Sequence, residues 1–332
     1  MKTTLFTKIV FVMLLAFTVN TVVYFGFGNV YSSRILNMQN FQEQFQSGIY
    51  QYRILSGYLL VWIYEILSTL PIDFQVFKLK FFADNSDPKM FLSFYLLNTF
   101  FLCLSAALMM RMMETRNFLG TSTEKIFAVA TVVFSIVITQ FVIVPYDISS
   151  YFFLLLFAWI FFKYYHHQSS LFLGLSAVTL ILSTFNRESA AISVAFAATL
   201  LWSKFGWRRK SILPIALLGF SFLGTYLAMR FLAHSFATND GNLLAQNLSQ
   251  PKNFLGILFW LVFFGFTLLV SKNLENRKNI LIFHLLSLPY VAMCFYSGIM
   301  YEVRLYIPLF ISGLLLAFIN NIDDETQVNV ER

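Results

Sequence analysis

Residues 9–27, IVFVMLLAFTVNTVVYFGF, decide the class of fold, because they form an uncharged apolar run as long as one helix needs to cross a bilayer. Lys2 and Lys8 precede this run and no small-residue cleavage site follows it, so the sequence predicts a retained anchor rather than a removed signal peptide. Of the 332 residues, 58% are hydrophobic and only 12% are charged, whereas about a quarter of a soluble domain is charged. The composition therefore excludes a soluble enzyme, a disordered protein and a disulfide-rich secreted module.

Further apolar runs follow along the whole chain, several of them shorter than the usual ~18 residues. The sequence therefore predicts an all-α, polytopic membrane protein. We expect residues 1–319 to form a single integral membrane domain, residues 28–89 to be a long first outer loop carrying interfacial helices, and residues 320–332 to be an acidic cytoplasmic tail. About ten transmembrane helices are predicted, over residues 9–27, 90–110, 126–144, 148–162, 170–185, 190–202, 212–233, 254–270, 280–297 and 305–319.

The segment 54–70, ILSGYLLVWIYEILSTL, determines the orientation of everything after it. It is apolar but short, and it contains Glu65. Basic residues concentrate in short cytoplasmic loops, and the basic cluster 204–210 would face outward if this segment crossed the membrane. We therefore expect the segment to lie in the interface and both termini to be cytoplasmic, in a bacterial inner membrane. The net charge of +7 then reflects topology in the lipid bilayer, and no nucleic-acid partner is expected.

Charged residues at membrane depth are costly and indicate a functional site. With this topology the unusual ones gather at the outer ends of the helices, on four separate outer loops. A cleft lined by carboxylates and guanidinium groups suits a substrate with a phosphate and a reacting hydroxyl, because arginine pairs bidentately with phosphate and a carboxylate can act as general base. The charged residues concerned are Glu43, Arg53, Asp147, Arg187, Glu188, Arg230, Glu302 and Arg304.

A purely structural interpretation of the later residues stays open at this point. Asp147 stands where a helix N-cap belongs. Arg187 would reach the lipid headgroups, while Glu188 would stabilise the first turn of its helix. Glu302 and Arg304 would form a mutual salt bridge.

The first outer loop offers weaker signals. Glu43 lies in the polar stretch 39–46, which is typical of a solvated loop, although it is the only acid between the anchor and Arg53. Tyr52 beside Arg53 suits headgroup or sugar contacts, but tyrosine is common at that depth.

Motifs for metal or cofactor binding are missing from the sequence. Cys103 and Cys294 lie inside apolar runs and predict neither a disulfide nor a metal site. There is no His-Glu-x-x-His motif, glycine-rich phosphate loop or nucleophile elbow. We expect no cofactor, with a divalent metal ion as an open alternative.

The arrangement resembles the polytopic GT-C type glycosyltransferases, which use sugars linked to polyprenyl phosphate at the outer face of a membrane. The resemblance implies that Glu43 matches the acid of their first outer loop, Asp147 an acid of the second, and Arg304 an arginine that holds the phosphate. Two features depart from the family. Its first acid usually follows the first helix directly, often as Asp, whereas residues 28–42 contain no acid. We also expect none of the extra soluble domains that many members carry.

The resemblance implies sugar transfer from a polyprenyl-phosphate donor to a glycan, lipid or protein acceptor. Asp147, Glu188 or Glu43 would deprotonate the acceptor, and the donor would be bound by Arg53, Arg187, Arg304, Glu302 and Tyr52. Two alternatives are a polymerase or ligase acting on polyprenyl-diphosphate glycans, and a flippase or transporter of lipid-linked sugars. Transporters place polar groups near the membrane midplane and often have related halves, whereas this chain has its charges at one end and no such halves.

Overall fold

A computed structural model describes residues 4–27, 30–77, 79, 86–233 and 241–320 of the chain. The predicted tail 320–332 lies outside the described residues except for its first residue, as do parts of the predicted loop 28–89. The described residues are helical and contain no β-strand, only one isolated bridge between Phe118 and Ile319. The α-helices, numbered α1 to α14 in chain order, are Leu5–Gly26, Met38–Phe45, Ile54–Thr69, Pro88–Met113, Ser122–Val137, Asp147–His167, Ser170–Asn186, Ala191–Phe205, Arg209–Leu232, Leu244–Ser249, Phe254–Val270, Leu274–Leu286, Leu288–Ser297 and Ile307–Phe318.

Five stretches among the described residues are long and apolar enough to cross a membrane: α1, α4, α6, α9 and Pro251–Val270, which contains α11. A sixth forms if α12 and α13 are taken together, since they are bent by 44° at a short break. Large apolar side chains on α9 and α11 are exposed, as with Phe220 at 75% and Leu269 at 80%. These helices fit an integral membrane protein. The predicted ten spans are not confirmed, because α7 and α14 are apolar but shorter, and α5 and α8 have only 16 and 15 residues.

Several helix boundaries differ from the apolar runs, for local reasons. α5 ends at Val137 rather than residue 144, and the Thr139 hydroxyl donates to the carbonyl of Ile136 in the turn that follows. α12 begins at Leu274, before the apolar run at 280, because the Asn273 side chain caps its first turn. The predicted helix 280–297 is broken because Pro289, at the start of α13, cannot donate a backbone hydrogen bond to α12.

Polar contacts show that α1 and α4 are antiparallel. Near the start of α1, Lys8 Nζ lies 2.9 Å from Glu114 Oε2, just after the end of α4. Further along, Asn20 Nδ2 donates to Thr99 Oγ1 at 2.9 Å. Both members of the second pair are buried. Short connections also reverse the chain direction between the later helices, so the helix ends lie at two opposite ends of the bundle.

We call these the site end, where α6 begins and α7 ends, and the opposite end. At the opposite end, Leu119 N donates to Phe318 O at 2.7 Å, and Lys272 pairs with Glu124. These contacts join the starts of α5 and α12 to the end of α14. The chain reversals between helices therefore place the start of α6, the end of α7 and the start of α14 together at the site end.

Contacts tie α3 to the site end. Ser56 Oγ lies 2.8 Å from Ser149 Oγ in the first turn of α6, and the Ser56 hydroxyl donates to Asn186 Oδ1 at the end of α7. Gly57 lies against the ring of Phe45 in α2, where a Cβ atom would come within 2.3 Å of the ring. Only glycine permits this approach, which packs α2 onto α3.

The Asn20–Thr99 contact provides a test of the α1–α4 packing. Asn20→Leu and Thr99→Val, singly and together, should give a double-mutant coupling energy of about 0.6–2 kcal/mol, as for hydrogen bonds between membrane helices. The free energy of unfolding in detergent measures it. Thr7→Val combined with Thr99→Val serves as control, because Thr7 is exposed at the opposite end of α1 from Asn20, and no coupling is expected beyond about 0.3–0.5 kcal/mol. Strict additivity for Asn20 and Thr99 would contradict the packing.

Candidate functional site

Seven charged side chains meet at the site end and form what we call the ionic cluster. They come from the start of α3, the start of α6, the α7–α8 junction, the end of α9 and the segment before α14. All are buried except Glu188, whose side chain is 26% exposed. The members are Arg53, Asp147, Arg187, Glu188, Arg230, Glu302 and Arg304.

Asp147 forms the centre of one half of the cluster. Its Oδ1 pairs with Arg187, and its Oδ2 accepts from Arg304 Nη1 at 2.9 Å. Arg304 also donates through Nε and Nη2 to Glu302 Oε2, at 3.0 and 2.6 Å. We call these four residues the Asp147 clasp, since Asp147 joins α6 to the end of α7 and to the segment before α14.

The clasp decides between the structural interpretations raised by the sequence. Asp147 does not cap α6: it lies in the first turn, where Tyr146 is the N-cap residue and no side-chain capping bond forms. Arg187 is 4% exposed and bonds a carboxylate rather than lipid headgroups. Glu302 and Arg304 do form the mutual salt bridge, and Arg304 is held by Asp147 as well. Because both Asp147 oxygens are engaged by guanidinium groups, this carboxylate holds arginines in place.

The other half of the cluster is less completely paired. Arg53 donates through Nε and Nη2 to Glu188 Oε2, at 3.2 and 3.1 Å. Glu188 Oε1 accepts no hydrogen bond from the described residues, and the nearest cation is Arg230 Nη2 at 3.9 Å. We call Arg53, Glu188 and Arg230 the Glu188 half. Glu188 Oε1 is therefore a buried carboxylate oxygen whose hydrogen-bonding capacity is unused among the described residues.

Glu188 lies in the short 3-10 turn Glu188–Ala190, between α7 and α8. Burial by itself would raise the pKa of this carboxyl, but Arg53 above all, with smaller contributions from Arg187 and Arg230, lowers the pKa below its ordinary value. The carboxylate is therefore ionised at neutral pH. It takes up a proton from solvent only when the pH falls through the lowered pKa.

Tyrosine rings frame both arginines of this half. The Arg53 guanidinium carbon lies 5.2 Å from the ring centre of Tyr50 and 5.6 Å from that of Tyr146. The Arg230 guanidinium carbon lies 4.3 Å from the ring centre of Tyr52 and 3.5 Å from that of Tyr226. Cation–π contacts at these distances orient the guanidinium planes. Tyr52, predicted as a substrate contact, is thus buried against Arg230.

Asn186 connects the helices beneath the cluster. Its Nδ2 donates to the carbonyl of Tyr146 at 3.0 Å, and its Oδ1 accepts from Ser56 of α3. The residue is fully buried. Sequence reasoning did not select it, although an amide that ends an apolar helix directly before Arg187 and Glu188 was a signal.

An apolar groove of about 370 Å³ adjoins the cluster. It runs along α3 from the residue after Arg53 and is closed by Phe185 at the end of α7, two residues before Arg187. A groove of this composition accepts a hydrocarbon chain, and arginines at its end accept an anionic head. The lining residues are Ile54, Leu55, Tyr58, Leu59, Trp62 and Phe185.

Glu43 is the one predicted site residue that the structure does not bring into the cluster. It is exposed on α2, and its Oε1 accepts from Gln39 Nε2 at 3.3 Å, within the same helix. This surrounding matches the solvated interpretation of the stretch 39–46. Within the described ranges, no group of three His, Cys, Asp or Glu side chains lies close enough to hold a metal ion.

Comparison with known proteins gives no relative: no protein-family model, no curated protein and no solved structure matches the chain significantly. The function therefore has to be inferred from the geometry of the ionic cluster and its groove.

The clasp predicts a large loss of stability when its centre is neutralised. Asp147→Asn keeps the shape but leaves two buried guanidinium groups without their shared carboxylate. We expect the free energy of unfolding to fall by about 3–5 kcal/mol, measured by denaturation in detergent. Asp73→Asn, at an exposed acid that accepts only from Gln75, is the control and should change it by less than about 0.5 kcal/mol. Equal stability of Asp147→Asn and wild type would show that the clasp does not hold these segments.

Proposed function

We propose that this chain is a membrane glycosyltransferase that transfers a sugar from a polyprenyl-phosphate donor to an acceptor hydroxyl at the outer face of the membrane. The observation that carries the proposal is an ionic cluster at the end of an apolar groove. Four guanidinium groups face three carboxylates there, so the cluster has a formal charge of +1 before a ligand binds. A lipid with an anionic head complements both features.

The proposal includes ten passes through the membrane, with α12 and α13 as one broken pass and α3 along the outer surface. The regular reversal of helix direction supports this topology. Basic side chains at the opposite end support a cytoplasmic location for that end, with both termini there. They include Lys8, Arg111, Lys163, Lys204 and Lys272. A bacterial inner membrane is the setting that fits a chain of this design.

In the proposed reaction the acceptor oxygen attacks the anomeric carbon of the donor sugar. The new glycosidic bond forms as the bond from that carbon to the phosphate oxygen breaks, which inverts the anomeric configuration. The acceptor proton goes to Glu188 Oε1, and the electron pair of the broken bond stays on the polyprenyl phosphate. Guanidinium groups stabilise the charge that develops on this leaving group.

Glu188 is a better general base than the other two candidate acids. Its Oε1 accepts no hydrogen bond from the described residues, so this oxygen still has the capacity to accept a proton, and the side chain is 26% exposed at the edge of the cluster. Asp147 is 1% exposed and has both oxygens engaged, so we assign it a positioning role. Glu43 lies outside the cluster and has no arginine beside it among the contacts that the structure describes.

Glu188→Gln tests the base. The amide keeps the size of the side chain but cannot take a proton, so we expect the rate of sugar transfer to fall by about 10²–10⁴. The assay follows transfer from radiolabelled polyprenyl-phosphate sugars in proteoliposomes. Glu65→Gln is the matched control, since Glu65 is an exposed acid on α3 outside the cluster, and it should retain the wild-type rate.

Two results would contradict the proposal. A wild-type rate in Glu188→Gln would exclude this carboxylate as the base. Movement of the lipid-linked sugar across the bilayer by the wild-type protein, without any transfer, would favour a flippase instead.

A further inference from the structure

Arg230 is the arginine of the ionic cluster that has no carboxylate within hydrogen-bond distance among the described residues. It lies near the end of α9 and is 5% exposed. Of the five N–H donors that a guanidinium carries, one makes a hydrogen bond with the described residues, from Nη1 to the carbonyl of Tyr226 at 3.4 Å. Its ion pair with Glu188, at 3.9 Å, is longer than a hydrogen bond. A buried guanidinium with open donors is costly unless a ligand completes it.

The other three arginines of the cluster each donate to a carboxylate within hydrogen-bond distance, which Arg230 does not do among the described residues. Arg304 donates to Asp147 and twice to Glu302, and Arg187 pairs with Asp147. Arg53 donates twice to Glu188. The resemblance to GT-C type glycosyltransferases favours Arg304 as the phosphate-holding residue, but three of the five N–H donors of Arg304 already bind carboxylates.

Tyr52 and Tyr226 pack against the Arg230 guanidinium, with ring centres 4.3 and 3.5 Å from its central carbon. Cation–π contacts leave the N–H groups at the edge of the guanidinium free to bind a ligand. An edge-on guanidinium presents a planar fork, which matches two oxygens of a phosphate. Tyr52 also precedes Arg53, after which the apolar groove begins at Ile54.

We infer that Arg230 is the principal phosphate-binding residue of the site, and that its ligand is the phosphate of a prenyl lipid whose chain lies in the groove along α3. The Asp147 clasp holds the segments around this site and does not bind the phosphate. This inference rests on the proposed function for the identity of the lipid. It assigns the phosphate to a residue at the end of α9 that the sequence pattern did not place among the donor-binding residues.

The test is direct binding of farnesyl phosphate to the full-length protein in nanodiscs, measured by calorimetry. Inorganic phosphate and farnesol are the comparison ligands, because they separate the phosphate from the chain. We expect farnesyl phosphate to bind and each comparison ligand to bind at least about tenfold more weakly. Arg230→Gln should weaken farnesyl phosphate binding about 10- to 100-fold, the equivalent of one charge-assisted hydrogen bond.

Arg230→Lys keeps the charge but not the planar fork, and it should bind with intermediate affinity. Arg209→Gln is the matched control, because Arg209 is an exposed arginine at the other end of the same helix, and it should bind like wild type. Thermal unfolding of each variant, measured in parallel, separates binding from folding. If Arg230→Gln does not fold, the Lys variant provides the comparison.

Wild-type affinity in both Arg230 variants would overturn the inference, even if their melting temperatures fell, because the arginine would then be structural. Equal affinities for inorganic phosphate and farnesyl phosphate would overturn the lipid assignment. Binding that depends on Arg230, in a protein that transfers no sugar, would support this inference and refute the glycosyltransferase. Full sugar transfer by Arg230→Gln would support the glycosyltransferase and refute this inference.

Discussion

A carboxylate shared by two guanidinium groups, in an apolar bundle, is the interaction on which the site depends. Asp147 is 1% exposed and bonds Arg187 and Arg304 at once. Removing Asp147 would leave Arg187 buried without its carboxylate and Arg304 with Glu302 alone, and breaking a buried ion pair costs more than the pair gains over apolar packing. The clasp therefore acts as a unit, and it fixes the start of α6, the end of α7 and the segment before α14 relative to one another.

The ionic cluster divides into a closed half and an open half. The clasp satisfies its own charges, whereas the Glu188 half has a carboxylate oxygen without a hydrogen bond and an arginine with open donors. These two features face the same region, beside the apolar groove along α3. Proton transfer and anion binding both need groups of this kind, so the open half is where we place the chemistry. The closed half supplies the rigidity that holds those groups in position.

Much of this could be predicted from sequence. Composition and apolar runs predict the helical membrane class. The reversal of direction between successive helices predicts that one end of the bundle contains Asp147, Arg187, Glu188, Glu302 and Arg304. The pairing inside the cluster could not be predicted. A carboxylate before an apolar run fits a cap, a base and a clasp equally well, and only the positions of Arg187 and Arg304 in space distinguish them.

Further residues depended on tertiary packing: the open donors of Arg230 result from its contacts with two tyrosines, and the groove results from the packing of α3 against Phe185. Glu43 was predicted as a site residue but lies outside the cluster, because its position along the chain does not determine its distance from the cluster in space.

The most direct test of the central claim is an experimental structure of the protein in nanodiscs with a prenyl-phosphate sugar bound. The account places the phosphate within hydrogen-bond distance of Arg230, the prenyl chain along residues 54–62 and Phe185, and an unbroken Asp147 clasp beside them. A phosphate bound between Arg187 and Arg304, with Asp147 displaced from both, would contradict the division of the cluster into a closed and an open half.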